Sequence, residues 1–397
     1  MKKVSRVLVI SHMYPRASHP AGGIFVHEQV KKLRELGVDA RVITGDPLWI
    51  NTLNPLKILG GLRSWWRAPA MDWSMQDGVP VINFPYIVSS SFLPYQAHVY
   101  TYSIAALRCV QQIQHSWNFQ LIHSHTAYLD GTAGSKISHE YGIPFIITEH
   151  TGPFCTLTRT SFLKRKTEKA LNLAALIIAV SQSLLNDIKK EINLRKTGLV
   201  VPNVVDVNLF VDNERRPDSN WVKALWVGHF VPVKRVDLLI RAVKLVKDRI
   251  PNFVLTLVGS GELESDLRHL VNDLGLEGNI NFAGPSDRKN LPRHYCANDF
   301  LIISSASETF GVVAIEAMSC GIPVLSTNCG GPAEIIANPD VGMVVGMEIS
   351  DLADGIVQMV KNNNFQKDKI RKYAVENYSG TIIAKNLMNI YNEVVNV

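Results

Sequence analysis

Phe300-Leu301-Ile302-Ile303-Ser304, followed by Ser307-Glu308-Thr309-Phe310-Gly311-Val312-Val313-Ala314-Ile315-Glu316-Ala317-Met318, sets the reading of the whole chain. A short apolar run gives way to a polar loop with a glycine, then to a segment of small and apolar residues. That order predicts a buried strand, a loop and a helix start. A helix start leaves backbone N–H groups free at the positive end of the helix dipole, which suits a phosphate. Glu308 falls in the loop, and Glu316 eight residues on, about two turns into the helix. A carboxylate that accepts two hydroxyl hydrogen bonds can grip a ribose. A capped helix with two solvated glutamates is the plain alternative, and for one glutamate it would be the default.

Working outward, the same alternation recurs on both sides. Upstream, Val7 to Ile10 reads as a strand, Phe25 to Leu33 as a helix ended by Gly37, and Ala40 to Thr44 as a second strand. Leu121 to His123, Phe145 to Thr148 and Leu176 to Val180 follow as strands, with a helix over Gly131 to Tyr141. Nearer the central stretch, strands are expected at Ala224 to Val227, Phe253 to Val258, Ile280 to Ala283 and Pro323 to Ser326. Helices are expected at Val236 to Arg249 and Leu263 to Leu274. The pattern predicts α/β architecture with mostly parallel sheets covered on both faces. The polar stretch Asp206 to Asn220 reads as a linker. Two such domains would place a ligand at the strand C-termini, in the cleft between them.

A length of 397 residues is ample for two domains. Hydrophobic residues at 46% and charged residues at 19% exclude a disordered or fibrous chain. No apolar run reaches the ~18 residues of a membrane helix, and Val7 to Ile10 is too short for a secretory core. Five cysteines, with no Cys-x-x-Cys, fit a reducing cytosol rather than a disulfide framework or zinc ribbon. The net charge of +6 is uneven. Residues 1–197 carry 22 Lys and Arg against 12 Asp and Glu, a net of +10, and the rest carry 19 against 23, a net of −4. A basic half fits a polyanionic partner or simply a solubilising surface.

The central string resembles the signature of the retaining family 4 glycosyltransferases of the two-domain GT-B fold. In that family a pair of glutamates is separated by seven residues, with Phe-Gly after the first and Glu-Ala-Met at the second. Here the match continues through Cys320-Gly321-Ile322-Pro323-Val324 to Gly330-Gly331-Pro332-Ala333-Glu334-Ile335. Gly22-Gly23 with His27 is similar to the family's first glycine-rich loop, and Thr148-Glu149-His150 to its catalytic-region histidine. Val201-Pro202-Asn203-Val204-Val205-Asp206 resembles its inter-domain segment, and Val227-Gly228-His229 with Lys234 stands where the family has Gly-Arg and Lys.

The resemblance implies two Rossmann-like domains: an acceptor domain over residues 1–200 and a nucleotide-sugar domain over 201–379, with a helix at 380–397 packing back onto the first. It implies that Glu308 contacts the donor sugar, Glu316 holds the ribose and the Phe310-Gly311-Val312 backbone meets the diphosphate. Lys234 would neutralise the leaving phosphate, Gly23 would let backbone approach the donor, and His150 would line the sugar site. The implied catalytic residues are thus His150, Lys234 and Glu308. His229 would be donor-binding in place of the family's Arg; histidine as a residue type is partly charged near neutrality, so donor affinity should fall from pH 6 to 8. The partners implied are a nucleotide diphosphate sugar and a glycan or lipid-linked acceptor, with no cofactor, in cytoplasmic synthesis of bacterial cell-surface polysaccharide or glycolipid.

No Asp-x-Asp occurs in the chain, which points to a site without metal. His123-Ser124-His125 lacks a third ligand and reads as structural or substrate-facing. A nicotinamide enzyme would need Gly-x-Gly-x-x-Gly after the first strand, where Ser11-His12-Met13-Tyr14-Pro15 stands instead. Nucleic-acid binding has no supporting motif. A sugar-nucleotide epimerase of the same architecture and a non-catalytic sugar-nucleotide-binding protein are the competing readings. Turnover without an acceptor would mark the first, and bound donor never turned over the second. Finally, Leu48 to Pro69 carries Trp49, Trp65, Trp66, Lys57, Arg63 and Arg67 with no acid. It reads either as a dock for an anionic membrane surface or as a buried hairpin.

Overall fold

The structure, a computed structural model, describes residues 3–16, 22–66, 72–91, 94–212, 220–362 and 364–396. The chain divides into unit 1, Met1–Asn203 with Ile383–Val397, and unit 2, Val204–Ile382. Residues 213–219 of the expected linker lie outside the described residues. Its first part is no free tether: Phe210 is buried, and its carbonyl accepts from Ser319 Oγ at 2.8 Å and Arg371 Nη1 at 2.9 Å, all within unit 2.

Unit 1 is built on eight strands: β1 (Arg6–Ile10), β2 (Asp39–Trp49), β3 (Ser74–Gln76), β4 (Val79–Val88), β5 (Leu121–His125), β6 (Phe145–Glu149), β7 (Leu176–Ala179) and β8 (Gly198–Val200). Their order is β3-β4-β2-β1-β5-β6-β7-β8, parallel except where β3 runs antiparallel to β4. Every residue of β5 and β6 is buried, as expected of parallel strands covered on both faces. β2 runs well past Thr44, across Gly45 and Pro47, because β4 pairs with it from Val42↔Val81 to Trp49↔Val88. The first helix spans Ile24–Glu35 and buries Val26, His27, Gln29, Val30 and Leu33. From Ile383 onward the last helix (Gly380–Val395) belongs to this unit; Asn392 Oδ1 accepts from Val4 N at 2.8 Å.

Unit 2 holds β9 (Val222–His229), β10 (Phe253–Ser260), β11 (Ile280–Gly284), β12 (Phe300–Ile303), β13 (Val324–Thr327) and β14 (Gly342–Val345). They form a parallel sheet in the order β11-β10-β9-β12-β13-β14. Trp226, Phe253, Phe300, Leu325 and the inward faces of helices Val236–Lys247 and Ile349–Lys361 make its core. The β9–β12 neighbourhood is where the strand order reverses, the place where open α/β sheets bind ligands at strand C-termini.

Candidate functional site

In unit 2, β12 delivers the chain into the loop that carries Glu308. The loop is pinned by its backbone: Glu308 N donates to Cys329 O at 2.7 Å and Gly331 N donates to Glu308 O at 3.0 Å. On the other side, Ala306 N donates to Val233 O at 2.8 Å and Ser304 Oγ to Lys234 O at 2.8 Å. This stitching sets the turn after β9, which ends at Lys234, beside the glutamate. Lys234 Nζ and Ser305 Oγ both donate to Glu308 Oε1, the latter at 2.8 Å. The pair is half-buried, so it is stronger than a solvated surface bridge and still open to exchange with a ligand.

Gly311 then turns the chain at φ 90°, and a Cβ there would lie 2.7 Å from Pro332 Cγ. The helix starts only after it, at Val312–Ser319, with no side-chain cap. Its first amides are therefore available to an anion. Phe310 is buried and packs edge-on against Tyr378, so its side chain is structural and only its backbone faces the loop's chemistry.

Glu316 departs from expectation. Because Gly311 delays the helix, Glu316 sits about one turn in, not two. It is neither solvated nor free: it is buried, accepting from Arg288 Nη1 at 2.5 Å and Tyr295 OH at 2.9 Å. Burial pushes its pKa up, while Arg288 and Tyr295 oppose that shift by favouring the charged form. Arg288 in turn lies 4.8 Å from the Phe210 ring. Arg288 and Tyr295 were not visible as site residues in the sequence; nothing in their local pattern marks them.

His229 ends β9, level with Ser260 of β10. Its side chain is exposed, with no hydrogen-bond partner among the described residues.

Unit 1 presents a different chemistry. Gly23 caps the first helix at φ 63°, and a Cβ there would lie 1.9 Å from Met13 O. Its glycine is thus required by its own unit's backbone, whatever else approaches it. His150 follows β6 and stacks on His125, with ring centres 5.2 Å apart. Its Nε2 is 3.0 Å from His125 Nδ1. His125 stacks in turn on His123 at 4.3 Å, and His123 bonds Tyr391 OH and Thr148 Oγ1, each at 2.7 Å. Burial drives His150 and His123 down to about 3, and His125 well below the ordinary histidine value. The three imidazoles are therefore neutral. Among the described residues no group of three His, Cys, Asp or Glu is arranged to hold a metal.

Beside them lies a dyad the sequence did not disclose. Asp130 is fully buried and accepts four bonds: His12 N and His12 Nδ1 at 2.9 Å each, Tyr102 OH at 2.5 Å and Thr126 Oγ1 at 3.0 Å. Thr126 itself stands at φ 122°, a conformation costing about 1–3 kcal/mol. Burial lowers the His12 pKa, but the Asp130 carboxylate outweighs it and the net shift is upward. Glu149, also buried, accepts backbone amides from Ala127, His150 and Thr151 at 2.7, 2.9 and 2.7 Å, which fixes the His150 backbone. Burial raises its pKa while those amides oppose the rise.

The fold and the paired loop of unit 2 define a class: the GT-B glycosyltransferases. Residues 22–209 match the model for Glycosyltransferase Family 4, and residues 211–377 that for Glycosyl transferases group 1. The chain belongs to family 4. An uncharacterized glycosyltransferase of Methanocaldococcus jannaschii is 30% identical over 269 residues, 67% of this chain and 73% of that one. A D-inositol 3-phosphate glycosyltransferase of Mycobacteroides abscessus is 28% identical over 357 residues, 81% and 77% of the two. In fold, a sucrose-phosphate synthase of Thermosynechococcus elongatus superposes with a TM-score of 0.76 at 18% identity, over 99% of each chain. Anabaena HepE in complex with UDP gives 0.72 at 18%, over 98% of this chain and 100% of that one.

Proposed function

We propose that this glycosyltransferase moves a sugar, with retention of anomeric configuration and without a metal or other cofactor, from a nucleoside diphosphate sugar to a glycan or lipid-linked acceptor. We place it in cell-surface polysaccharide or glycolipid synthesis, peripheral on the cytoplasmic face of a membrane. The observation that carries the donor reading is the Lys234–Glu308 pair beside an uncapped helix start. Each group holds the other's charge until the donor arrives. Lys234 then turns to the diphosphate and Glu308 to the sugar hydroxyls, while Glu316, oriented by Arg288 and Tyr295, takes the ribose. The Phe310-Gly311-Val312 backbone meets the diphosphate, with His229 beside it. His150, a neutral imidazole, suits contact with uncharged sugar hydroxyls, and Gly23 lets backbone approach a ligand without a Cβ in the way.

As the bond from C1 to the phosphate oxygen breaks, its electron pair leaves with the diphosphate. A fixed ammonium and helix-end amides stabilise that charge as it grows, often the largest single catalytic contribution. That Anabaena HepE has been captured with UDP-glucose favours UDP as the carrier. The test is transfer from UDP-glucose, with the product anomer read by NMR, in the presence and absence of EDTA. An α product and undiminished turnover in EDTA are expected. An inverted product, or activity lost to EDTA and restored only by a divalent cation, overturns the reading.

A further inference from the structure

Of the segment Leu48 to Pro69, residues 67–69 lie outside the described residues, and the rest is no buried hairpin. It leaves β2 and forms a helix, Pro55–Trp66, that is apolar on two faces. One face is committed to unit 1. Trp65 is buried and its indole N–H donates to Pro85 O at 2.8 Å, and a Cβ on Gly61 would lie 2.5 Å from Ile50. The opposite face, at helical spacing, carries Leu56, Leu59, Arg63 and Trp66. Leu56 is 79% exposed, Leu59 61% and Trp66 62%, and Leu53, just before the helix, is 74% exposed. Large apolar side chains clustered on an exposed face mark an interaction surface.

The charge along this segment is of one sign. No Asp or Glu occurs between Asp46 and Asp72, while Lys57 and Arg63 are exposed on the helix. Arg108 stacks 4.7 Å from the Trp66 ring and donates to Trp66 O at 2.7 Å, holding that tryptophan outward with a further base beneath it. A second copy of this chain would fit poorly, because a twofold interface sets each patch against its own bases. A bilayer rich in anionic lipid meets every term: leucines and a tryptophan enter the headgroup boundary, and lysine and arginine meet phosphate.

We propose that the outward face of helix Pro55–Trp66 docks unit 1 on an anionic lipid bilayer through Leu56, Leu59 and Trp66, with Lys57 and Arg63 reading the headgroups. This rests on the peripheral placement proposed above, and not on the transfer chemistry. Trp65 takes no part, so a variant of both tryptophans would damage the fold rather than test the dock.

The experiment is co-sedimentation of the full chain with vesicles of phosphatidylcholine alone or with 30 mol% phosphatidylglycerol, together with thermal melting and UDP-glucose calorimetry. Wild type should bind the anionic vesicles, and Leu56→Ser/Leu59→Ser/Trp66→Ser should bind them about tenfold more weakly or worse. Melting and donor binding should be unchanged. Lys57→Glu/Arg63→Glu, which keeps the apolar face, should also lose binding. Triple-variant binding equal to wild type overturns the dock while leaving the peripheral placement standing. Wild type that ignores both vesicles overturns both, and a dimer dispersed by the triple variant assigns the face to a second copy instead. Donor calorimetry reports on the transferase reading separately in every case.

Discussion

The stacked cluster of unit 1, His123, His125 and His150, is three buried imidazoles held neutral. The loop and helix after β12 in unit 2 carry carboxylates, each matched to a cation. His123, His125 and His150 stack where burial forbids a proton. Glu308 and Glu316 keep their partners Lys234 and Arg288. Two polar clusters thus meet burial in opposite ways. The histidine stack of unit 1 takes the uncharged form, and the glutamates of unit 2 receive a counter-charge. The first suits contact with neutral hydroxyls, and the second suits a site where charge appears during reaction.

The largest effect should come from the unit 2 cation. Lys234→Ala is expected to lower kcat by about 10²–10³-fold, with a smaller change in donor affinity, because its interaction strengthens as the phosphate gains charge. Steady-state kinetics and donor calorimetry check the split. An unchanged kcat would remove the contrast, leaving the pair a structural bridge.

Acid should strike unit 1. A histidine with a folded pKa near 3 stays neutral in the native state while the unfolded chain takes up a proton below about 6.5, so stability falls with pH between those values. The loss is about 1.4 kcal/mol per pH unit for each such group. His12 works in the opposite sense: its raised pKa stabilises below about 6.5, and that contribution fades as pH rises through the raised value. Melting at pH 7 and pH 5 checks the balance. The drop in Tm should be smaller in His123→Gln than in wild type, and equal drops would mean the buried stack does not govern acid stability.

The smallest effect belongs to His229, the exposed exception in unit 2. His229→Ala should weaken donor binding by less than about tenfold, and His229→Arg should keep or tighten it, because a guanidinium can fork across two phosphate oxygens. Equal donor affinity for wild type and His229→Ala would separate this side chain from the phosphates.

Much of the scaffold was readable because short apolar runs punctuated by glycine leave few alternatives. β1, β5, β12 and β13 fall where the runs place them. β4 escaped because Pro80 and Pro85 interrupt it, and proline in a run argues against a strand until a partner is known. The paired glutamates, Lys234 and His150 were visible through their motif. The His12–Asp130 dyad was hidden by a separation of 118 residues, and Tyr391 stands 268 residues from His123.

The sequence by itself determined the alternation of strands and helices, the position of Glu308 on a loop, and an acid-free run of leucine, tryptophan and base. These are local: side-chain period and glycine placement act over a few residues. Tertiary structure alone decided which groups meet. It gave Glu316 its partners Arg288 and Tyr295, and so made it buried rather than solvated. It turned Trp65 inward and Trp66 outward on a helix whose two faces are almost equally apolar. Periodicity can say that two residues lie on different faces, but only the packing of distant segments says which face loses its water.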